Sequence, residues 1–105
     1  GQFATIELDL LMVKGKREAA RVFALLGDQA LAESPEFQAL HAAHGQMLAA
    51  YRAQRWDEAR ELIGKCLHLQ HRLDDYYDLY RGRIDHYERN PPGPAWRGVH
   101  IASDK

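Results

Sequence analysis

Residues 43 to 71, AHGQMLAAYRAQRWDEARELIGKCLHLQH, constrain the fold more than any other stretch of the chain. Tyr51 stands near the end of one apolar-periodic run and Trp56 at the break that follows. Ala59, Leu62, Ile63, Cys66 and Leu67 then descend the next run at helical spacing. A large residue closing one helix, an aromatic at the turn, and small then apolar residues beyond it let two antiparallel helices pack closely. A unit of this kind binds or braces; it does not catalyse.

The flanks extend the pattern. Ser34-Pro35-Glu36 is a helix start: the serine hydroxyl can cap free amides, and proline is tolerated at the first helical position. The first helix is therefore expected from Pro35 to Ala53. Trp56-Asp57-Glu58 opens the second, its acids placed against the positive end of the dipole, and it should continue to His71. A third begins near Asp74, with Leu73, Tyr77, Tyr80, Ile84 and Tyr87 on one stripe, and ends at Asn90-Pro91-Pro92. Pro-Pro-Gly-Pro, residues 91–94, makes a stiff extended connector, and Trp96 to Ile101 alternates as a short strand would. The spacing resembles that of tetratricopeptide repeats. Three helices make only about one and a half repeats where an array needs about three. The helices must therefore lean on the N-terminal segment, the tail, a second copy or a further domain.

Phe3 to Val13 alternates as a strand, with Ile6, Leu8, Leu10 and Met12 on one face and Thr5, Glu7 and Asp9 on the other. Lys14-Gly15-Lys16 reads as a hairpin turn, and Ala20 to Leu26 as the return strand. Propensity alone favours a helix over Glu18 to Leu26, because Ala19, Val22, Phe23 and Leu26 share a helical face.

Composition narrows the function classes. The chain has 105 residues, a mass of 12.0 kDa and 46% hydrophobic residues, which is room for one small domain. Fourteen basic residues against 15 acidic ones leave no positive field for a phosphate backbone or an anionic lipid surface, so nucleic acid and direct membrane contact are not expected. The single cysteine, Cys66, cannot form an internal disulfide and sits on an apolar helix face, as expected of a buried thiol in a reducing, cytoplasmic compartment. No apolar run approaches the roughly 20 residues that span a bilayer, and Gly1 opens no signal-peptide pattern.

The two ends of the chain speak together. The segment IELDLLMVKGKREAARVFALLG resembles the closing hairpin of class III adenylate/guanylate cyclase domains, where a Val-Lys-Gly-Lys turn joins the last two strands. The remainder resembles the C-terminal extension of bacterial cyclases that carry an extracytoplasmic CHASE2 sensor: a short tetratricopeptide-like region, then a proline-rich stretch, a Trp-x-Gly-Val element and a terminal lysine, as in PPGPAWRGVHIASDK. The resemblance implies a strand over residues 20–26 and three segments: 1–27 as closing hairpin, 28–90 as helical module, and 91–105 as connector and tail. The expected class is α+β, mainly helical, with a three-helix tetratricopeptide-like stack, an N-terminal hairpin and a short C-terminal strand.

The resemblance further implies a non-catalytic regulatory or assembly module. Its parent would convert a nucleoside triphosphate to a cyclic nucleotide on divalent Mg or Mn, from the cytoplasmic side of a membrane-anchored enzyme. The family's metal-binding aspartates and its transition-state asparagine and arginine match no residue here, so no catalytic or cofactor-binding residue is assigned, and Asp9 is not taken as a metal ligand. The expected partner is protein, either the chain's own cyclase domain or a second copy. A homodimer is expected from the strand edge left open when the closing hairpin is cut away from its sheet.

The tetratricopeptide register turns His44, Leu48, Tyr51 and Arg52 of the first helix, with Asp78 and Asp85 of the third, toward the concave side where such modules hold peptides. Trp56 should pack on its own helix pair, Tyr77, Tyr80 and Tyr87 should be core, and Tyr76 should be spare. His41 with His44, and His68 with His71, form two H-x-x-H pairs that antiparallel helices bring to one end, an alternative zinc site. The i, i+3 spacing shares a face only approximately, and the register turns His68 to solvent. A free-standing peptide-binding adaptor is the alternative function. A small enzyme has no glycine-rich phosphate loop, nucleophile elbow or well-spaced metal motif to support it.

Overall fold

A computed structural model describes residues 3–13 and 18–102. The Lys14-Gly15-Lys16 turn and the terminal lysine lie outside the described residues. Strand β1 (Ala4–Val13) and strand β2 (Ala20–Gly27) are followed by a single-turn helix α1 (Gln29–Ala32). Three longer helices, α2 (Pro35–Arg52), α3 (Trp56–Leu69) and α4 (Asp74–Arg89), precede a short strand β3 (His100–Ala102). The sheet is mixed, in the order β2-β1-β3, with β1 antiparallel to β2 and parallel to β3. The fold is α+β.

Local chemistry sets the helix boundaries. The Ser34 hydroxyl accepts the Phe37 amide at 3.1 Å, with Pro35 in the first turn, as the sequence predicts. At the other end of α2, Gln54 takes a left-handed φ of 63°. The Gln54 amide bonds the Tyr51 carbonyl and the Arg55 amide bonds that of Ala50, so the last carbonyls are satisfied without glycine. The second of these three helices ends at Leu69, close to the expected end near His71, and Gln70 is already extended. Helix α1 is not anticipated by the sequence reading; Asp28 caps it, and none of its residues is buried.

Residues 20–27 form a strand despite their helical propensity. Pairing to β1 turns Val22, Ala24 and Leu26 inward, and Ala24 and Leu26 pack on the core, leaving Phe23 and Leu25 at 58% and 66% exposure on the outer face. Tertiary packing overrides the intrinsic preference.

The strict alternation expected of β1 does not hold. Glu7 pairs with Phe23 but Asp9 with Val22, so Leu8 is the extra residue of a bulge. A bulge reverses the phase of every side chain beyond it. Ile6 is buried before the bulge and Asp9 after it, whereas the period-2 reading puts Asp9 on the outer face. The tail strand is also shorter than expected. Gly98 takes a φ of 96°, and the Trp96 indole donates to the Val99 carbonyl at 2.9 Å, so Trp96 to Val99 turns and pairing starts only at His100.

One core joins the three segments. Ile6 of β1 clusters with Leu40, Met47, Tyr51, Ile63, Tyr77, Tyr80 and Ile84, and Trp96 of the tail packs against the same group. Trp56 stacks on Tyr87 with centroids 6.3 Å apart and meets Tyr51 edge-on at 5.9 Å, packing within its own helices as expected. Cys66 is fully buried. No helix among the described residues is long and apolar enough to cross a membrane.

Candidate functional site

Side chains of α2 and α4 pack on the chain's own β1. Strand β1 pairs with β3 only from Leu11 onward, so the edge carbonyls before that point need other partners. Helix side chains supply them. His44 Nε2 meets the Glu7 carbonyl at 2.5 Å, and the Tyr76 and Tyr80 hydroxyls donate to the Leu8 carbonyl at 2.5 and 3.0 Å. In the loop before α4, the Arg72 guanidinium donates to the Leu26 carbonyl of β2 at 2.7 Å.

Two carboxylates with three ion pairs flank these bonds. The Glu7 carboxylate binds Arg52 of α2 at 2.8 Å and Arg21 of β2 at 2.9 Å. Asp9 binds Arg83 of α4 at 2.8 Å and accepts the Tyr80 hydroxyl at 2.9 Å. Burial works against the ionised Glu7, but Arg52 and Arg21 outweigh it and hold the carboxyl below its usual range. Burial also works against the charge on Arg83, and Asp9 outweighs it in turn. Helix residues therefore read two successive carbonyls and two carboxylates, at positions i and i+2, of one extended segment. A cavity of about 240 Å³ remains beside the contact, lined by Glu7, His41, Gly45, Ala49 and Arg52 among others.

His44 is the polar centre of this contact. Only 2% of it is exposed, and its Nδ1 lies 2.8 Å from the Tyr77 hydroxyl. A carbonyl can only accept, so Nε2 carries the proton and neutral Nδ1 accepts from Tyr77. Burial pushes His44 below the ordinary imidazole value, His41 and Arg52 add to the shift, and the Glu7 carbonyl and carboxylate oppose it. Burial and Arg83 push His100 the same way. A histidine with a depressed folded pKa leaves the unfolded chain holding more protons in acid. Its stability contribution is therefore full above about pH 6.5 and declines as pH falls toward the folded value. The melting temperature should fall between about pH 7 and pH 5. His44→Gln should flatten part of that slope while costing about 1–2 kcal/mol at neutral pH; a slope unchanged by the substitution would assign the acid sensitivity elsewhere.

The expected groove residues separate into two sets. His44, Leu48 and Tyr51 are buried and Arg52 is half-buried on Glu7; His44, Leu48 and Arg52 line the cavity of about 240 Å³ beside β1, whereas Tyr51 packs on Tyr80 and Trp96. Asp78 and Asp85 are exposed, and Asp85 belongs to a surface network on Arg60 with Asp57 and Glu88. The alternative zinc set does not assemble. His44 spends both nitrogens on Tyr77 and Glu7, and His41, His68 and His71 are exposed. Among the described residues no group of three or more metal-ligating side chains converges.

Sequence reasoning missed Tyr76, Arg83 and Asp9. Tyr76 is partly buried on the Leu8 carbonyl rather than spare, and burial pushes its hydroxyl well above the usual phenol range. Two further clefts lie along α4 and the tail, one of about 540 Å³ lined by Met12, Tyr87, Trp96 and His100 among others, and a smaller one lies between Leu26, Leu31, Phe37 and Leu69. Comparison of the chain with models of protein families, with curated proteins and with solved structures finds no match.

Proposed function

We propose that the chain is a non-catalytic regulatory or assembly module at the C-terminal end of a class III adenylate/guanylate cyclase, acting through protein–protein contacts. One observation carries the reading: the N-terminal hairpin is held by the helices through Glu7 on Arg52 and Asp9 on Arg83. If that hairpin closes the sheet of a cyclase domain, a shift of the helices reaches the domain through two ion pairs and a shared core. The outer face of β2, with Phe23 and Leu25 uncovered, supports the same reading, because contiguous exposed apolar surface marks a docking face. The order of motifs is the other support: Val-Lys-Gly-Lys, the helical segment, Pro-Pro-Gly-Pro, then Trp-x-Gly-Val.

On this reading the nucleotide chemistry, with its Mg or Mn, belongs to the parent enzyme. The module works on the cytoplasmic side, and its partner is its own cyclase domain or a second copy. The test compares cyclase rate and dimerisation of the parent with and without residues 28–105. A changed rate or a weaker dimer is expected; unchanged values in both would overturn the assignment. The isolated chain should leave ATP and GTP unconverted, and turnover of either would contradict a purely regulatory role.

A further inference from the structure

The helical face that grips β1 has the chemistry of a receptor for an extended acidic strand, and we propose that a second copy of this chain can supply that strand by exchange of hairpins. His44, Arg52, Tyr76, Tyr80 and Arg83 make the grip on the Glu7 and Leu8 carbonyls and the Glu7 and Asp9 carboxylates. All five lie beyond the link Asp28–Ser34 that joins the hairpin to α2. A hairpin arriving from another copy therefore meets the same donors, the same positive charges and the same aromatic floor.

The link is built to let go. Its single-turn helix α1 has no fully buried residue, only Leu31 and Ala32 being half-buried. Unrolled at about 3.3 Å per residue, the segment reaches about 20 Å. That is enough to carry the hairpin onto the helices of an abutting copy. Contacts identical in the closed and exchanged forms leave the choice between them to linker strain and concentration, the condition under which exchange is a low-cost route to dimers. The occupant is fixed by charge as well as shape: a strand offering carboxylates two residues apart, opposite Arg52 and Arg83. The inference does not depend on the cyclase reading, since it concerns only contacts within and between copies of this chain.

Charge reversal tests it. The Glu7 and Arg52 side chains are 22% and 21% exposed, so the pair can be inverted without opening the core. Glu7→Arg alone and Arg52→Glu alone each place like charges across the contact. Mixed, they can escape only by exchange, because each hairpin then meets an opposite charge on the other variant's helices. The expected result is a 1:1 complex of the two variants by native mass spectrometry and sedimentation. It should outnumber same-variant dimers by about tenfold or more and melt above either variant alone. The double variant Glu7→Arg/Arg52→Glu should fold as a single chain and melt above either single variant, short of the wild type because the arginine introduced at position 7 still faces Arg21 within the hairpin. A mixture that stays as two independent species, folded or unfolded, overturns the proposal. A dimer that forms equally well in each variant alone also overturns it, because it uses another surface.

Discussion

Arg83→Met should lower the unfolding free energy by about 3–5 kcal/mol, a large part of the 5–15 kcal/mol that holds a domain of this kind together. The Arg83 and Asp9 side chains are only 11% and 9% exposed. The guanidinium bonds both carboxylate oxygens and lies 5.0 Å from the centre of the Tyr80 ring. Methionine keeps most of the aliphatic length, so the loss reports the charge left behind: Asp9 would retain the Tyr80 hydroxyl and the Leu10 amide but no cation. Because the penalty comes from an unpaired buried charge, adding Asp9→Asn to Arg83→Met should recover part of it. Urea denaturation of the wild type, both single variants and the double variant measures this directly. A cost below about 1 kcal/mol for Arg83→Met would mean that water or a neighbouring group already compensates Asp9.

The second large effect is expected at Tyr51. The side chain is fully buried at the meeting point of helices and tail, with ring centroids 4.7 Å from Tyr80, 5.2 Å from Trp96, 5.9 Å from Trp56 and 6.4 Å from Tyr87. Tyr51→Ala should cost about 3–5 kcal/mol, the usual range for deleting a core aromatic. Near-ultraviolet dichroism from the two tryptophans that touch it should weaken at the same time. Tyr51→Phe should cost less than about 1 kcal/mol, because the hydroxyl lies near Arg83 without completing a hydrogen bond to any described residue. Equal losses in the two variants would show that the hydroxyl, rather than the ring, anchors the cluster.

These two sites differ in how far the sequence betrays them. Tyr51 stands out from spacing alone, at the end of a periodic run and before a turn aromatic. Ser34-Pro35 marks the start of α2, and Tyr77, Tyr80 and Ile84 declare the inner stripe of α4, because capping and helical periodicity are local. The Asp9–Arg83 pair has no local signature. It exists because a bulge at Leu8 shifts the phase of β1, and no glycine or other turn residue announces that bulge. The register also grouped His44, Leu48, Tyr51 and Arg52 on one face. What lies over that face comes from the opposite end of the hairpin and link, and spacing within one helix carries no trace of its cover. The tail illustrates the same limit, since Trp96 to Ile101 alternates, yet the indole bond to Val99 and the left-handed Gly98 turn the chain before it can pair.

The parallel pairing of Leu11 with His100 gives the molecule an order of assembly. The two partners are separated by nearly the full length of the chain, and contacts so distant in sequence form late and slowly. A ribosome releases the N-terminal strands long before it makes β3. Until β3 is made, Leu11 and Met12 lack their parallel neighbour on one edge of β1. Before β3 docks, that edge of β1 is open to wrong strand pairing, and arrival of the tail is the step that seals it.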